Sequence, residues 1–571
     1  MIPVPSNEKE ILDLANELIE ACKVSQGSRG AYYRLMNVMA ETGRYDGTKS
    51  LLNKMYRDLD RTASHIFSPV ELKFALDFEN PILPRMQKMA QQVGHILTRE
   101  WDRTKTDKLF ARGVFDSLKY GIAILKQWCE TTGEAPDEHT TYERKLVMPW
   151  QFGVYREDEN DINKQEALLE TSTLTMPEVW KRIWHMPNAE RLFRQIKTHA
   201  QKGESGVSEP SSYFHQVLST SQLQTGVQGA TRPLPGGIVQ IGNDPNYAIM
   251  GPVVMADTVQ FHELWVKDTR DYTTIQLVEP DILIAPRGKK QNLLIKDSKL
   301  QPYRVIQPNE VTNWFWGRSE LADLIEPQSF LSDLCGDTKR LMGLQVDRIL
   351  GFSGDTTMQD ENYAAARYAG YFNLGQGGKV EDLTPKVPPE LLPLLKWLLE
   401  EIDKLGGFPA AMQGEGTPGV RSQAHASGLQ KMASPTLRDR ALVVEGQSAE
   451  AAELTLQLKE AKDPSRYWYD GTSIATIEES SFLLTDISEN WRVTVDSHSS
   501  SPIFTDENTQ LEFAALKAGV VQAEHVIDNT PIPHKETAKT QNKAHEEAQE
   551  KLFKEHPELL VEKFKHSGGH K

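Results

Sequence analysis

Three long helical patterns dominate the second half of the chain and constrain its architecture more than any other feature. Apolar residues recur at three- and four-residue spacing through residues 319–346, through 388–405 and through 422–462. As an α-helix, which rises about 1.5 Å per residue, the first pattern would be about 42 Å long. The sequence therefore predicts that the second half is built mainly from long helices.

The segments that separate these patterns are rich in glycine and in turn-forming residues. Residues 349–387 hold Gly, Tyr and Asp in short blocks, which predicts a small module of strands and turns. The second helical pattern begins after prolines and ends at the glycine pair 406–407, so the Gly-rich residues 408–421 are predicted to form a flexible loop. Within the third pattern, the Ser-Pro pair at 434–435 lacks one backbone N–H and predicts a kink.

The first half of the chain interleaves helix and strand patterns instead. Residues 6–22 have helical spacing, and every second residue from 70 to 78 is a large apolar one, which is typical of a half-buried strand. Thr175, Pro177 and Glu178 form a helix start with a cap, an early proline and a capping-box acid. The remaining predictions are helices at 48–66, 82–101 and 107–119, strands at 120–129, 258–266, 274–285 and 302–307, a long loop at 201–256, strands within 466–497, and helix from Thr505 onward.

The mixture of long helices with dispersed strands predicts the α+β class. At 571 residues and 64.4 kDa the chain is too long for one compact core, so two to four structural regions are expected. Hydrophobic residues make up 39% and charged residues 25% of the chain, which is ordinary for a globular protein.

Charge and residue usage exclude several classes of protein. The net charge of -16 argues against a protein that grips nucleic acid over its whole surface, although it permits DNA to slide past a weakly interacting wall. The beginning of the chain lacks a basic start with an apolar core, and no apolar run reaches the roughly 20 residues of a membrane helix. We therefore expect a soluble protein made in a cytoplasm. The three cysteines, Cys22, Cys129 and Cys335, are too few and too far apart for a disulfide framework or a zinc site.

The motifs of common enzymes are incomplete in this sequence. Between Gly414 and Ser422 the glycines have the spacing of a phosphate-binding loop, but Val420 and Arg421 replace the required Lys and Ser/Thr. The Trp-Gly-Arg-Ser at 316–319 lacks the second glycine of a nucleophile elbow. The five histidines near the C-terminal end lack the spacing of a metal site. The sequence predicts no catalytic residue, no metal site and no cofactor, and the chain is not expected to be an enzyme.

The order of elements from residue 310 to residue 533 resembles the core of the portal proteins of tailed bacteriophages. In that family an aromatic-Gly-x-Ser stretch opens a stem helix, a small clip follows, a second stem helix returns, and a tunnel loop leads into a long kinked wing helix. The matching stretch here is Trp316 to Ser319 followed by ELADLIEPQ, and SSSPIFTDENTQLEFAALKAGVVQAEHVIDNTPIP is similar to the approach to the family's crown. About 220 residues carry the resemblance.

The resemblance implies a portal fold with a mixed α/β wing, a two-helix stem, a small β-containing clip, a long kinked wing helix and a helical crown. It implies a homo-oligomeric ring, a dodecamer in the family, at one vertex of the virion capsid. DNA is packaged and ejected through such a ring. The implied regions are an N-terminal wing at 1–310, the first stem helix at 311–348, the clip at 349–387, the second stem helix at 388–407, the tunnel loop at 408–421, the wing helix at 422–462, wing strands at 463–504 and the crown at 505–571.

The same resemblance implies a set of partners. They are other copies of this chain, double-stranded DNA in the channel, the major capsid protein, the large terminase and head-to-tail adaptor or tail proteins, with no membrane partner. Such a protein is made in the cytoplasm of a host bacterium and functions in the virion.

Residues of the helices and the loop are the candidates for contact with DNA or with a neighbouring subunit. The DNA-channel and tunnel-loop candidates are Gln413, Gly414, Glu415, Gly416, Thr417, Gly419, Arg421, Lys431, Lys339, Arg340 and Arg348. The interface candidates are Trp314, Phe315, Trp316, Tyr363, Tyr368 and Tyr371. For each basic residue the alternative is a solvated surface charge. For the aromatic residues at 314–316 the alternative is a place in the core, although their aromatic density favours an interface.

Two other classes of function stay open. A packaging enzyme would hydrolyse nucleotide or cleave DNA with a metal ion, and an internal scaffold or minor capsid protein would form no closed ring. The succession of helix, small module, helix, Gly-rich loop and kinked helix favours the conduit, because an ATPase needs a complete phosphate-binding loop and a scaffold needs no tunnel module.

Overall fold

A computed structural model shows a protein of mixed helices and strands. The structure describes residues 2–45, 50–69, 72–78, 84–132, 139–184, 186, 188–200, 238–240, 248–250, 258–268, 271–278, 282–288, 301–346, 350–353, 379–382, 385–406, 435–462, 467–468, 481–484, 491–495, 511–520 and 526–527.

Helices and strands alternate along the first half and give way to long helices in the second. The helices are α1 (Glu8–Ser28), α2 (Gly30–Thr42), α3 (Met55–Ile66), α4 (Pro84–Arg103), α5 (Thr106–Tyr120), α6 (Met176–Ile183), α7 (Ala189–His199), α8 (Ile325–Val346), α9 (Leu391–Leu405) and α10 (Pro435–Lys462), with a further helical segment at 511–517. Short 3-10 turns lie at Pro149–Gln151, Ile162–Lys164 and Glu320–Asp323.

The strands of the N-terminal half are β1 (Phe74–Phe78), β2 (Ala123–Thr132), β3 (His139–Val147), β4 (Phe152–Val154), β5 (Ala167–Thr175), β6 (Ile238–Gln240), β7 (Ala248–Met250), β8 (Thr258–Asp268), β9 (Asp271–Val278) and β10 (Ile282–Gly288). The strands that follow are β11 (Tyr303–Ile306), β12 (Leu350–Ser353), β13 (Lys379–Asp382), β14 (Tyr467–Trp468), β15 (Ser481–Phe482) and β16 (Trp491–Val495).

A five-stranded antiparallel sheet with the order β10-β9-β8-β5-β4 forms one layer of the body. Because side chains alternate along a strand, β5 and β8 each present apolar residues to both faces. Leu169 and Leu264 pack against α1 on one face, whereas Leu168 and Trp265 belong to a core on the opposite face. This sheet is therefore buried on two sides.

A three-stranded sheet with the order β11-β2-β3 lies between the larger sheet and the main helical core. Ile124 on β2 and Ile122 just before the strand point toward the larger sheet, while Ala123 and Leu125 belong to the helical core. The alternation of side chains on a single strand thus joins two cores.

The main helical core combines parts of the chain that are far apart in sequence. Strand β1 pairs with β16, with Phe74 opposite Val495, and α10 packs on β16. The indole Nε1 of Trp101 on α4 donates a hydrogen bond to Thr455 Oγ1 on α10 at 3.2 Å. The N-terminal third and the residues after 435 therefore form one body.

Most predicted elements are confirmed, and the helix start at Thr175 is confirmed in detail, since the backbone N–H of Thr175 donates to the Glu178 carboxylate at 2.8 Å. The helical pattern at 422–462 is confirmed from Pro435 to Lys462. The predicted kink at 434–435 lies at the edge of the described residues, which include no part of 407–434.

Five predictions about elements were wrong in part. The helix predicted at 48–66 begins at Met55, and residues 50–54 before it are not helical. Helix α2 was not predicted, although Tyr33, Met36 and Ala40 are buried at helical spacing. The single strand predicted at 274–285 is two antiparallel strands, β9 and β10, because the Glu-Pro pair at 279–280 interrupts the pattern.

The other two concern a loop and a helix start. The predicted loop at 201–256 contains the paired strands β6 and β7. The first long helix begins at Ile325 and not at 311 or 319, because the Ser319 hydroxyl accepts from the Leu321 N–H at 3.1 Å and starts a 3-10 turn.

Candidate functional site

Helices α8 and α9 form a pair that stands out from the body. The first part of α8 is buried, with Leu331 at 0% exposure, whereas Met342 near its end is 61% exposed. Helix α9 shows the opposite gradient, since Leu392 is 69% exposed and Ile402 is fully buried. The two helices pack on each other and run antiparallel, with their buried ends in the main helical core.

A hydrogen-bond network holds the base of α8 against the segment between α2 and α3. The side-chain amide of Gln328 donates to Leu52 O at 2.7 Å, and its carbonyl oxygen accepts from the Lys54 N–H at 3.2 Å. One turn later, the buried Ser332 hydroxyl contacts Gly43 O at 2.8 Å and Ser50 Oγ at 2.9 Å. These bonds fix the direction in which α8 leaves the body.

The base of α9 is fixed by a charge pair with Lys54, the residue that precedes α3. The ammonium of Lys54 lies 2.6 Å from the Asp403 carboxylate and donates to Leu399 O at 3.0 Å. Both side chains of the pair are more than four-fifths buried. A paired charge in such a place restricts the orientation of α9 because its separation would leave two ions unpaired in the interior.

A second carboxyl at this base, that of Asp58, is in an environment that disfavours its negative charge. Asp58 on α3 is 2% exposed, and within the described part of the chain neither of its carboxylate oxygens has a hydrogen-bond partner. Burial, and then the negative charge of Asp403, raise the pKa of Asp58 to about 6, although Lys54 and two arginines of α3 oppose the change. An ionised Asp58 therefore weakens the contact between α3 and α9.

A two-stranded antiparallel sheet occupies the far end of the helix pair. Strands β12 and β13 follow α8 and precede α9, and Leu350 lies opposite Asp382. Near the same end, the Gln345 amide donates to Pro385 O and joins the last turn of α8 to the segment that leads into α9. The structure thus places the predicted strand module at the end of the pair away from the body.

The helix pair carries apolar side chains on its outward surface as well as on its inward one. On α9, Leu398 and Ile402 face the core, while Trp397 is 53% and Leu405 50% exposed. On α8, Phe330 is 50% exposed in addition to the exposed Met342 described above. An amphipathic helix that packs once leaves a polar outer face, so these residues mark a surface suited to further packing.

No protein-family model matches the chain, and no curated protein matches it. Among the described residues, no helix is long and apolar enough to cross a membrane. Within those same ranges, no three His, Cys, Asp or Glu side chains come together in a way that could hold a metal ion.

The structure locates two of the predicted DNA-contact residues. Lys339 and Arg340 are both exposed and adjacent on the outer half of α8. The other DNA-channel and tunnel-loop candidates lie outside the described residues; these are Gln413, Gly414, Glu415, Gly416, Thr417, Gly419, Arg421, Lys431 and Arg348. The tyrosines proposed for an interface, Tyr363, Tyr368 and Tyr371, also lie outside them.

The aromatic residues before α8 are mainly part of the core and not of an outer surface. Phe315 and Trp316 are fully buried within the chain, and Trp314 is half-buried. The Trp316 indole Nε1 donates to the Glu157 carboxylate at 2.7 Å. The prediction that Phe315 and Trp316 lie at an interface is therefore wrong, and both belong to the core. An aromatic side chain with no exposed surface cannot contact a neighbouring chain.

A buried arginine explains why this aromatic cluster forms. The guanidinium of Arg29, between α1 and α2, lies 4.8 Å and 5.1 Å from the ring centres of Tyr32 and Tyr33. It also lies 5.6 Å and 5.8 Å from the ring centres of Trp314 and Trp316. Cation–π attraction is stronger when the cation is desolvated, so Arg29 ties the start of the chain to the segment that leads into α8.

A buried charge network that sequence reasoning missed lies between the two sheets. The Lys126 ammonium on β2 is 2.7 Å from Glu170 on β5 and 2.6 Å from Glu263 on β8, and Lys145 also contacts Glu170. Tyr303 donates a hydrogen bond to Glu170 at 2.9 Å. A signal was present in the sequence for two of these residues, since Lys126 and Glu263 occupy strand positions whose same-face neighbours are apolar.

The charges of this network stabilise one another. Burial opposes ionisation of Glu170, but Lys126 and Lys145 outweigh it and hold the pKa of this carboxyl well below its usual range. Burial likewise opposes the charge on Lys126, but Glu170 and Glu263 outweigh it and raise the pKa of this ammonium. The network is fully paired and serves to join the two sheets.

Proposed function

We propose that this chain is a subunit of a phage portal ring, a homo-oligomer at one capsid vertex through which DNA is packaged and ejected. The observation that carries the proposal is the helix pair with apolar residues on its outward surface and a small strand pair at its far end. The order of elements in the sequence supports the same assignment. In this assignment α8 and α9 are the stem, β12 and β13 belong to the clip, and α10 is the long wing helix.

The outward apolar residues favour a ring because they lie on both helices of the pair. If α8 of one copy packs on α9 of the next, Phe330 and Met342 can be covered by a surface that includes Trp397 and Leu405. Such a contact joins two different surfaces, and repetition of a heterologous contact gives a closed ring when the rotation between neighbouring copies divides a full turn. Each Å² of apolar surface buried in this contact then stabilises the assembly by about 25 cal/mol.

The exposed basic residues of α8 fit a wall that DNA passes without being held. Lys339 and Arg340 are the proposed contacts to phosphates, and the net charge of -16 limits attraction elsewhere. Double-stranded DNA, the major capsid protein, the large terminase and head-to-tail adaptor or tail proteins are the proposed partners, and the virion is the proposed location.

Electron microscopy of the purified chain tests the ring directly. We expect end-on views with an axial hole, and a twelve-membered ring would have a mass of about 770 kDa. A stable particle of 64.4 kDa would contradict the proposal. Nucleotide hydrolysis by that particle would favour a packaging enzyme, and open assemblies without a hole would favour a scaffold.

A substitution on α9 tests whether the helix pair forms the ring contact. Trp397→Glu places a charge in the proposed interface and should shift the mass distribution from rings to single chains, while the circular dichroism spectrum stays unchanged. Trp184→Glu is the matched control, because Trp184 is 61% exposed at the end of α6 and away from the helix pair. If rings persist in the Trp397→Glu variant, the helix pair does not form the ring contact.

A further inference from the structure

Helices α6 and α7 cover one end of the five-stranded sheet and form a hairpin apart from the helix pair. Val179, Ile183 and Ile196 are fully buried and pack on Phe261 of β8, which gives the hairpin its own core. The opposite side of the hairpin faces solvent. This outer surface therefore rests on a rigid support and is independent of the residues in the proposed ring contact.

An apolar groove of about 540 Å³ runs between the two helices on this outer surface. It is lined by Met176, Pro177, Trp180 and Phe193, with Glu190 and Arg194 also in its wall. The rings of Trp180 and Phe193 meet edge to face, with 5.2 Å between their centres and an angle of 74°. Trp180 remains 40% exposed, so the groove offers an aromatic surface to an incoming side chain.

The hairpin is basic within an acidic chain. Residues 176–199 contain five Lys and Arg and two Glu, a net charge of +3 in a chain of net charge -16. Arg182 is turned inward, over the ring of Phe261 at 4.5 Å and 3.9 Å from Glu263. The other cations are exposed on the hairpin; they are Lys181, Arg191, Arg194 and Lys197.

The two acidic residues of the hairpin do not neutralise its positive charge. Glu178 accepts hydrogen bonds from the Thr175 backbone N–H and hydroxyl and so serves as the helix cap. Glu190 lies 3.6 Å from Arg194, and both side chains are more than four-fifths exposed. An exposed pair of this kind separates readily, so Arg194 can turn to another carboxylate.

We propose that this groove binds an acidic protein segment that carries an aromatic or large aliphatic side chain. The apolar side chain enters between Trp180 and Phe193, while Arg191, Arg194 and Lys197 attract the flanking carboxylates. Duplex DNA fits less well, because its bases are stacked inside the helix and cannot fill an apolar groove. The inference does not depend on the proposed ring.

Fluorescence polarisation with defined peptides tests the groove in the full chain. The probe is a labelled synthetic peptide in which one Phe stands among Glu and Ser residues, and its matched peptide has Ala in place of Phe. We expect the Phe peptide to bind at least about tenfold more tightly, because a buried aromatic side chain adds that much affinity. Equal binding of both peptides, or no binding of either, would overturn the proposal.

Two kinds of variant locate the binding. The Trp180→Ala Phe193→Ala double variant should lower affinity for the Phe peptide about tenfold or more and leave the Ala peptide unchanged. The Arg194→Glu Lys197→Glu variant alters only exposed charges, so it should fold normally and weaken both peptides. Lys9→Glu Lys108→Glu is the matched control on other exposed positions and should bind as the unmodified chain does.

A short DNA duplex serves as the competing ligand in the same assay. We expect it to bind no more tightly to the unmodified chain than to the Arg194→Glu Lys197→Glu variant. A duplex that binds tightly and loses its binding in that variant would identify a nucleic-acid surface and overturn the peptide assignment.

Discussion

Replacement of Lys126 by Met should destabilise the junction between the two sheets far more than removal of any surface charge. In the native chain the Lys126 ammonium lies 2.7 Å from Glu170 and 2.6 Å from Glu263, and all three side chains are less than one-tenth exposed. The substitution retains most of the aliphatic volume, so the main loss is charge pairing. Removal of one partner from a buried charge pair costs about 3–5 kcal/mol, because the other charge stays unpaired in the interior.

The two carboxylates are affected unequally. Glu170 keeps Lys145 and the hydroxyl of Tyr303. Glu263 keeps a hydrogen bond from the Trp265 indole at 2.9 Å but only a distant cation, Arg182 at 3.9 Å. Most of the cost should therefore appear around Glu263 on β8.

Hydrogen exchange of backbone amides in β5 and β8 measures this cost locally. At about pH 7.5, a loss of 3–5 kcal/mol should lower protection by roughly 100- to 4,000-fold, because each 1.4 kcal/mol is tenfold. Lys145→Met is the matched control, since Lys145 contacts the same carboxylate but is 36% exposed and should cost about 1 kcal/mol or less. Protection within about threefold of the unmodified chain in Lys126→Met would refute the reasoning.

The pH dependence follows from the carboxyl of Glu170. Its pKa in the folded chain is below the unfolded value, so the stability it contributes is present above the unfolded pKa and lost as pH falls through the folded pKa. Lys126→Met removes the largest attractive cause of that lowering. The difference between variant and native chain should therefore stay constant from about pH 7.5 down to the unfolded pKa of Glu170 and shrink as pH falls further, because the native chain then loses stability that the variant lacks.

Three further predictions concern the base of the helix pair, close helix packing and the Gly-rich loop. Asp58→Asn should raise the free energy of unfolding by about 1–3 kcal/mol near pH 7.5, by roughly half as much near pH 5 and by little near pH 3.5, because stability is lost as pH rises from the unfolded pKa of 3.8 to the folded pKa of about 6; equal effects in urea unfolding at pH 7.5 and pH 3.5 would contradict this. Gly94→Ala should lower the melting temperature, because a Cβ there would collide with Phe74 O of β1, whereas Gly343→Ala, with open space around its Cβ, should raise it slightly; a stabilising Gly94→Ala would mean that α4 and β1 can separate. Deletion of residues 414–419 should leave rings intact in electron micrographs and impair packaging in a terminase-dependent assay, and normal packaging would remove the tunnel-loop assignment.

Local patterns in the sequence were sufficient for most of the helices. Helices α4 and α5 lie within a few residues of their predicted bounds, because each has an apolar face with helical spacing and a clear end. The start of α6 was predicted to the residue, since a Thr cap, an early proline and a Glu satisfy the first N–H groups locally. Such signals depend only on neighbours within one turn.

Contacts between distant segments could not be predicted in the same way. The pairing of β1 with β16 joins Phe74 to Val495, and neither short strand carries a signal that identifies its partner. The aromatic residues at 314–316 were ambiguous between core and interface, because the residue that decides between them, Arg29, is almost 300 positions away. Of the candidate site, only the helix pair and its strand module were predicted, because both follow from the order of elements along the sequence. The groove between α6 and α7 was not predicted.

The distribution of apolar residues separates what one chain can fold from what several chains can assemble. In the body, the large aromatic rings of Trp101, Phe110 and Trp316 and all three cysteines are buried within a single chain. On the helix pair, Trp397 and Met342 stay more than half exposed, so the hydrophobic surface there is incomplete in one copy. A charge at Trp397 should therefore affect assembly without affecting the body, whereas a loss of charge at Lys126 should weaken the body and leave the surface of the helix pair unchanged. Measured together in both variants, ring mass and amide protection distinguish a defect in assembly from a defect in folding.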